Sequence, residues 1–216
     1  MIEIDVINLD RRADKRHAMT DMANRYGYQG NLRWHTAIDG SEHDIDALLQ
    51  LLELSNPPEG EIIATNYPEW GKNDLKAHLA FRKTYLDVLE SITEPTIVLI
   101  DDQFLTCQMH IYDQIVEECE AKGIDIVALD PITETTGLPD LVVYGYKGFT
   151  EEAILWMPRG AKDAQPILVE HTELVIGDAI RIYYPRDRQG STSIRVARHI
   201  GKKADWQSDI HLEVQL

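Results

Sequence analysis

The chain of 216 residues has little of what marks several large classes of protein. Its only two cysteines, Cys107 and Cys119, exclude a disulfide framework, and we interpret both as reduced thiols. No apolar run approaches the roughly 18 residues that span a bilayer. The N-terminal residues have neither the basic region nor the long apolar region of a signal peptide. We therefore expect a cytoplasmic protein without a transmembrane segment.

Positive charge is also scarce, since 21 Lys and Arg residues stand against 37 Asp and Glu residues, a formal net charge of −16. This balance argues against a protein that coats nucleic acid without regard to sequence, because such a coat relies on cations to neutralise phosphates. The hydrophobic content of 44% and the charged content of 27% are ordinary globular values. The length predicts one domain over residues 1–216.

Several sequence motifs of known chemistry are absent as well. The eight histidines show no zinc-motif spacing, and no Gly-x-Ser-x-Gly sequence indicates a nucleophilic serine. The glycine-rich fingerprint of a dinucleotide site is missing, so the sequence does not support NAD binding.

What the sequence does contain is an alternation of strand and helix patterns, which predicts an α/β fold with helices on both faces of a doubly wound sheet. A polar stretch with Gly60, Pro68 and Gly71 is a candidate substrate loop. Strands are predicted at 2–9, 32–38, 96–100, 124–129 and 141–146, and helices at 13–26, 44–54, 73–92, 109–122 and 151–156.

Asp101 and Asp102 follow the apolar run Thr96–Ile100, which predicts a strand buried on both faces. Ligands of open α/β sheets bind beyond the carboxyl ends of the strands. Adjacent carboxylates there can bind a hard divalent cation that also takes substrate phosphates as ligands. Capping of the next element, or a solvated turn, is the other interpretation.

Two stretches are rich in basic residues. The segment Asn8–Arg16 follows the first predicted strand and begins a helix, a place suited to phosphate or to local salt bridges. The segment Arg181–Lys203 contains seven Lys and Arg residues against one Asp. It predicts binding of an anion, with Arg186, Arg188 and Arg195 as candidates for contacts to that anion or to the acceptor, or else neutralisation of acidic neighbours in the fold.

Taken in order, several motifs resemble the family 25 glycosyltransferases, which include lipooligosaccharide glycosyltransferases and collagen galactosyltransferases. The likeness covers roughly residues 1–195, and its opening motif is the most specific. The motifs are Val6–Arg16, Ala37-Ile38-Asp39-Gly40, Leu75-Lys76-Ala77-His78-Leu79, Leu99-Ile100-Asp101-Asp102, Tyr144-Gly145-Tyr146, Ile167-Leu168-Val169-Glu170 and Tyr183–Ser191.

This resemblance implies a GT-A-type, Rossmann-like mixed sheet, a nucleotide-sugar donor, Mn²⁺ or Mg²⁺, and inversion at the anomeric carbon. It implies that Asp101 and Asp102 bind the metal, that Asp102 is therefore catalytic, and that Glu170 is the general base. The residues that it implies for the nucleotide-sugar site are Asn8, Arg11, Arg12, Asp39, Gly40 and His78.

The sequence departs from the family pattern at three positions. Ile100 replaces the first acid of the Glu-Asp-Asp motif, Ala77 replaces a serine before His78, and Glu170 replaces an aspartate. We expect an inverting glycosyltransferase acting on a saccharide of lipopolysaccharide or another surface glycan. Two alternatives stay open, namely the same transfer to hydroxylated bases of DNA, and a non-catalytic module that binds nucleotide sugars but has lost full metal competence.

Overall fold

The computed structural model describes residues 2–55, 72–130, 141–143, 153–193 and 195–199. The candidate substrate loop with Gly60, Pro68 and Gly71 lies outside the described residues, as does the motif Tyr144-Gly145-Tyr146. Among the described helices, none has both the length and the apolar character needed to cross a membrane.

A mixed sheet organises the described part of the chain. Seven strands form it in the order β2-β1-β3-β7-β5-β8-β6, while β4 and β9 pair as a separate antiparallel ribbon. The strands are β1 (Glu3–Asn8), β2 (Leu32–Thr36), β3 (Thr96–Ile100), β4 (Gln103–Leu105), β5 (Ile126–Ala128), β6 (Leu141–Val143), β7 (Ala153–Trp156), β8 (Gln189–Thr192) and β9 (Ala197–His199).

Strand direction defines the two edges of this sheet. Strands β1, β2 and β3 are parallel to one another. Strand β7 runs antiparallel to both β3 and β5, so β5 has the direction of β3. The edge at which β1, β2, β3 and β5 end is called the carboxyl edge below, and the opposite one the amino edge.

Helices cover both faces, as the sequence predicts. One apolar core joins Ile4 and Val6 of β1 to α1 and α4, and a second joins Ile7 of β1 and Val98 of β3 to α3, α5 and α6. Because both faces are covered, the central strands are nearly continuous apolar runs. The helices are α1 (Ala13–Tyr26), α2 (Ile45–Leu51), α3 (Lys72–Ser91), α4 (Met109–Lys122), α5 (Pro158–Glu170) and α6 (Ile176–Tyr183).

The order of the first three strands creates a switch point between β1 and β3. Helix α1 leads from β1 to β2 on one face, and α3 leads to β3 on the other face. Two connections that leave in opposite directions open a crevice beyond the carboxyl ends of the two strands, which is where open α/β sheets bind ligands.

The prediction of a short helix over 151–156 is wrong. Residues Ala153–Trp156 form strand β7, in which all four residues are buried between β3 and β5. A segment buried on every side has no polar face, and a short apolar run of this kind does not distinguish a strand from a helix. Helix α5 starts only at Pro158, where the absence of a proline N–H costs no helical hydrogen bond.

Candidate functional site

Asp101 is fixed at the switch point by the neighbouring strand. It follows β3, and its Oδ2 accepts a hydrogen bond of 2.9 Å from Nδ2 of Asn8, the last residue of β1. The same amide nitrogen donates to the carbonyl oxygen of Arg12 at 3.3 Å. Burial raises the pKa of Asp101, aided by the charge of Asp102, while Asn8, Lys15 and Arg12 oppose this rise. Asp101 and Asp102 are called the acidic pair below. Asn8 is therefore a positioning residue that ties this pair, through Asp101, to the start of α1.

Asp102 faces basic residues of the first turn of α1. The Nζ of Lys15 lies 3.3 Å from its Oδ2, and both side chains are largely sheltered from solvent. Arg12 makes its closest ion pair with Asp14 at 3.1 Å, and the charges of Asp101 and Asp102 also help to raise the pKa of this guanidinium. The structure thus brings together Asn8, Arg12, Asp101 and Asp102 of the predicted site, with Lys15 as an added member.

A cavity of about 500 Å³ opens beside the ends of β1 and β2. Its walls come from the loop after β1, the loop after β2 and the N-terminal half of α3. Polar and apolar groups share the lining, an arrangement that suits a small organic ligand with a few orienting contacts. The lining residues are Leu9, Arg11, Ala37, Ile38, Asp39, Gly40, Ser41, Lys76, Ala77 and Phe81.

An ion pair joins two residues of the cavity lining, Arg11 and Asp39. Nε of Arg11 lies 2.5 Å from Oδ2 of Asp39, and Oδ1 of Asp39 accepts from the backbone N–H and the hydroxyl of Ser41. The hydrogen bond from Arg11, reinforced by those from Ser41, lowers the pKa of Asp39 to about 2. Asp39 is therefore ionised at neutral pH and presents acceptor oxygens to the cavity.

Gly40 is a site of close packing between the loop after β2 and helix α3. It is buried, and a Cβ built there would lie 2.5 Å from the carbonyl oxygen of Lys76, a backbone atom. Only glycine permits this approach. The glycine thus sets the width of the cavity between Asp39 on one wall and α3 on the other.

Gly40→Ala is expected to destabilise the protein by about 1–3 kcal/mol, the usual cost of forcing extra volume into a packed site. Urea unfolding followed by circular dichroism measures the change. Gly30→Ala is the matched control, because a Cβ at Gly30 meets nothing within 4 Å, and such a surface change usually stays within about 0.5 kcal/mol. Equal stability of the two variants would contradict the close approach at Gly40.

His78 connects the cavity wall to the turn between α5 and α6. Its Nε2 lies 2.7 Å from the carbonyl oxygen of Thr172, which can only accept, so Nε2 carries the proton. Burial, together with the charge of Arg82, lowers the pKa of His78 to about 4, so the ring is neutral at pH 7. The cavity is lined by its helical neighbours Ala77 and Phe81, which makes His78 a residue that holds the wall in place.

Glu170, the predicted general base, is the last residue of α5 and is exposed. Two residues later comes Thr172, the partner of His78, so the end of α5 is tied to the same part of α3 that lines the cavity. The ring of His171 stacks on that of Tyr183 with parallel planes and centroids 3.5 Å apart. Tyr183 remains 46% exposed, so an aromatic surface adjoins Glu170 in the chain.

The three candidate arginines of the C-terminal basic segment, Arg186, Arg188 and Arg195, do not lie together. Arg188 pairs with Asp125, whose N–H donates to the Arg188 carbonyl just before β5 begins, so Arg188 and exposed Arg186 lie towards the amino edge. Arg195 pairs with Asp130 at 3.0 Å, after β5 ends at the carboxyl edge. Neutralisation of acidic neighbours, the alternative recognised in the sequence, describes Arg188 and Arg195.

The acidic pair offers the type of ligand that a hard cation takes. Within the ranges that the structure describes, no group of three or more His, Cys, Asp or Glu side chains is placed to hold a metal ion. Two carboxylates nevertheless fit Mg²⁺ or Mn²⁺, because such ions commonly bind one or two carboxylates and take their other ligands from water and substrate phosphates.

The ion pair and the cavity add residues to the site that were not named for it from the sequence, among them Lys15, Ser41, Lys76 and Phe81. Lys15 had a signal, because a lysine in the first turn of a helix opposes the helix dipole and so indicates a nearby anion. Lys76 lies within the motif Leu75-Lys76-Ala77-His78-Leu79, whereas Phe81 carried no signal, since only the packing of α3 against the loop after β2 brings it to the cavity.

Comparison with known proteins adds no assignment to this geometry: no protein-family model and no curated protein matches the chain.

Proposed function

We propose that the chain is an inverting, GT-A-type glycosyltransferase that uses a nucleotide-sugar donor. The observation that carries this proposal is the mixed cavity of about 500 Å³ at the ends of β1 and β2, with the acidic pair following the adjacent strand β3 and bonded to Asn8 of β1. Such crevices in α/β sheets accommodate nucleotides. The resemblance of the opening motif to family 25 glycosyltransferases points to the same chemistry.

In this proposal the nucleoside part of the donor enters the cavity. Apolar side chains such as Leu9 and Phe81 would contact the base, while the ionised Asp39 would accept hydrogen bonds from ribose hydroxyl groups. Arg11 would then lie at the start of the diphosphate, where a fork of N–H donors suits phosphate oxygens.

Asp101 and Asp102 would hold the divalent cation, with Asn8 fixing Asp101. When bound, the cation supplies positive charge to the diphosphate as it becomes the leaving group. The fold holds the carboxylates of Asp101 and Asp102 in fixed positions, which favours the charge distribution of the transition state without further reorganisation of the site.

The reaction itself is a single displacement. An acceptor hydroxyl oxygen bonds to the anomeric carbon from the face opposite the diphosphate, and the bond from that carbon to the diphosphate oxygen breaks. The electron pair leaves with the nucleoside diphosphate. The hydroxyl proton passes to the carboxylate of Glu170, which we propose as general base.

A saccharide is the acceptor that we favour. The ring of Tyr183, stacked on His171 next to Glu170, presents a planar surface with a polar rim, and amphipathic rings of this kind contact ligands that are partly apolar and partly wet. The alternative acceptor, DNA, depends on the C-terminal basic segment. Within that segment Arg181, Arg188 and Arg195 pair with carboxylates of the fold.

Glu170→Gln is expected to lower kcat of sugar transfer by about 10²–10⁴-fold, the usual contribution of a positioned base. Donor affinity should not change, because Glu170 contacts the acceptor side in this proposal. Transfer of a radiolabelled sugar from nucleotide-sugar donors to saccharide acceptors, with Mn²⁺ present, measures the rate.

Glu117→Gln on α4 is the matched control, since it removes another exposed carboxylate, on the other face of the sheet. A Glu170→Gln variant as active as wild type would remove Glu170 from the mechanism. Donor binding without turnover in the wild type would favour the non-catalytic module. Transfer of label to hydroxylated DNA but to no saccharide would show that DNA, and not a saccharide, is the acceptor.

A further inference from the structure

The first turn of α1 has an unusual charge pattern. Arg12, Lys15 and Arg16 lie at the helix N-terminus, where the backbone dipole is positive and cations are unfavourable. Arg16 is accommodated by the ring of Trp34, with its guanidinium carbon 4.8 Å from the centroid. Arg12 has Asp14 as its nearest carboxylate. Lys15 instead points across to Asp102, on the loop after β3.

The Lys15 ion pair is the contact that a cation would disturb. The Nζ of Lys15 lies 3.3 Å from Oδ2 of Asp102, and Mg²⁺ binds carboxylate oxygens at about 2.0–2.1 Å. An ammonium group and a divalent ion bound to one carboxylate would be close enough to repel each other strongly in a partly sheltered site. Lysine has a flexible stem and a compact charge, so it can turn to another anion.

We propose that Lys15 exchanges between two anions, neutralising Asp102 in the free protein and binding the donor diphosphate once a divalent cation takes its place. This inference rests on the proposed function, because it assumes that a diphosphate lies beside the acidic pair. Lys15 thereby makes cation binding unfavourable without the donor and contributes positive charge to the diphosphate with it. Lys15 thus couples binding of the cation to binding of the diphosphate. It lies in the motif Val6–Arg16 and not in the motif Leu99-Ile100-Asp101-Asp102.

One substitution gives effects of opposite sign on the two ligands. Lys15→Met keeps the length of the side chain and removes its charge. Mn²⁺ alone, titrated into the nucleotide-free protein and followed by the electron paramagnetic resonance signal of free Mn²⁺, should bind about tenfold tighter than to wild type. Inorganic diphosphate, titrated by calorimetry into protein saturated with Mn²⁺, should bind about tenfold weaker; each tenfold corresponds to about 1.4 kcal/mol.

Lys162→Met is the control, because it removes an exposed lysine near the start of α5, at the amino edge of the sheet and away from the acidic pair. Unchanged affinities in Lys15→Met, or weaker binding of both ligands, would overturn the exchange while leaving the proposed donor site in place. Failure of the wild type to bind either Mn²⁺ or diphosphate would overturn the proposed metal and diphosphate site as well. The thermal stability of each variant confirms that it is folded during the titrations.

Discussion

Asp102→Asn is expected to lower metal-dependent sugar transfer by at least about 10²-fold while the protein stays folded. The substitution keeps the size of the side chain and removes the charge that would hold a cation against the diphosphate, and loss of one preorganised electrostatic contact typically costs about 10²–10³-fold in rate. The side chain of Asp102 is 28% exposed, so the amide that replaces the carboxylate keeps contact with solvent. Initial rates at saturating donor and Mn²⁺ measure the effect.

Asp113→Asn provides the control for this variant. Asp113 is an exposed residue of α4, so its replacement changes the net charge by the same amount at a distance from the acidic pair. The control should retain the wild-type rate and the wild-type response to Mn²⁺. Full activity of Asp102→Asn would contradict the role of the acidic pair in transfer.

Asp125→Asn is expected to destabilise the fold by about 1–3 kcal/mol, because a buried hydrogen-bonding group loses its charge-assisted partners, while Arg159 stays exposed and Arg188 keeps Asp163. Asp125 is only 3% exposed and pairs with both Arg159 and Arg188, and it accepts a hydrogen bond of 3.0 Å from the hydroxyl of Tyr184. Burial and the charge of Asp125 raise the pKa of Tyr184, which therefore stays a hydrogen-bond donor. Denaturant unfolding measures the loss.

The control is Asp163→Asn, which removes the exposed second partner of Arg188 and should cost no more than about 1 kcal/mol. Both variants should bind nucleotide sugars with wild-type affinity when folded, because Asp125 lies at the amino edge, away from the acidic pair. If Asp125→Asn were as stable as wild type, Arg188 would not be part of a stabilising network and would again be a candidate for binding an anionic acceptor.

The central part of the fold could be predicted because its signals are local. The run Thr96–Ile100 is buried on both faces, and Gly27 ends α1 with a φ of 78°, as its sequence context indicates. The second half of the chain was harder to predict from the sequence. Strand β7 reverses direction inside an otherwise parallel region, and no local pattern specifies that its neighbours are β3 and β5.

The candidate site shows the same division between local and long-range information. Asp101 and Asp102 could be placed beyond the end of a buried strand from the sequence, because they follow the apolar run Thr96–Ile100. That Asn8 bonds to Asp101 depends on the pairing of β1 with β3, which is long-range. The separation of Arg186 and Arg188 from Arg195 could not be predicted. They are close in sequence, but strand β8 lies between them and takes the chain from one edge of the sheet to the other. The walls of the cavity come together where Gly40 approaches Lys76, a contact over 36 residues that no spacing reveals.

The central claim is that the cavity at the ends of β1 and β2 binds a nucleotide sugar whose diphosphate takes up a divalent cation with Asp101 and Asp102. A thermal-shift screen of nucleotide sugars, each with and without Mn²⁺, tests it most directly. A donor at about 100 times its Kd stabilises a protein by about 2.7 kcal/mol, which at this chain length raises Tm by roughly 5–10 °C. We predict such a shift for at least one nucleotide sugar, larger with Mn²⁺ and reduced to the metal-free value in Asp102→Asn. No shift with any nucleotide sugar, with or without Mn²⁺, would contradict the account.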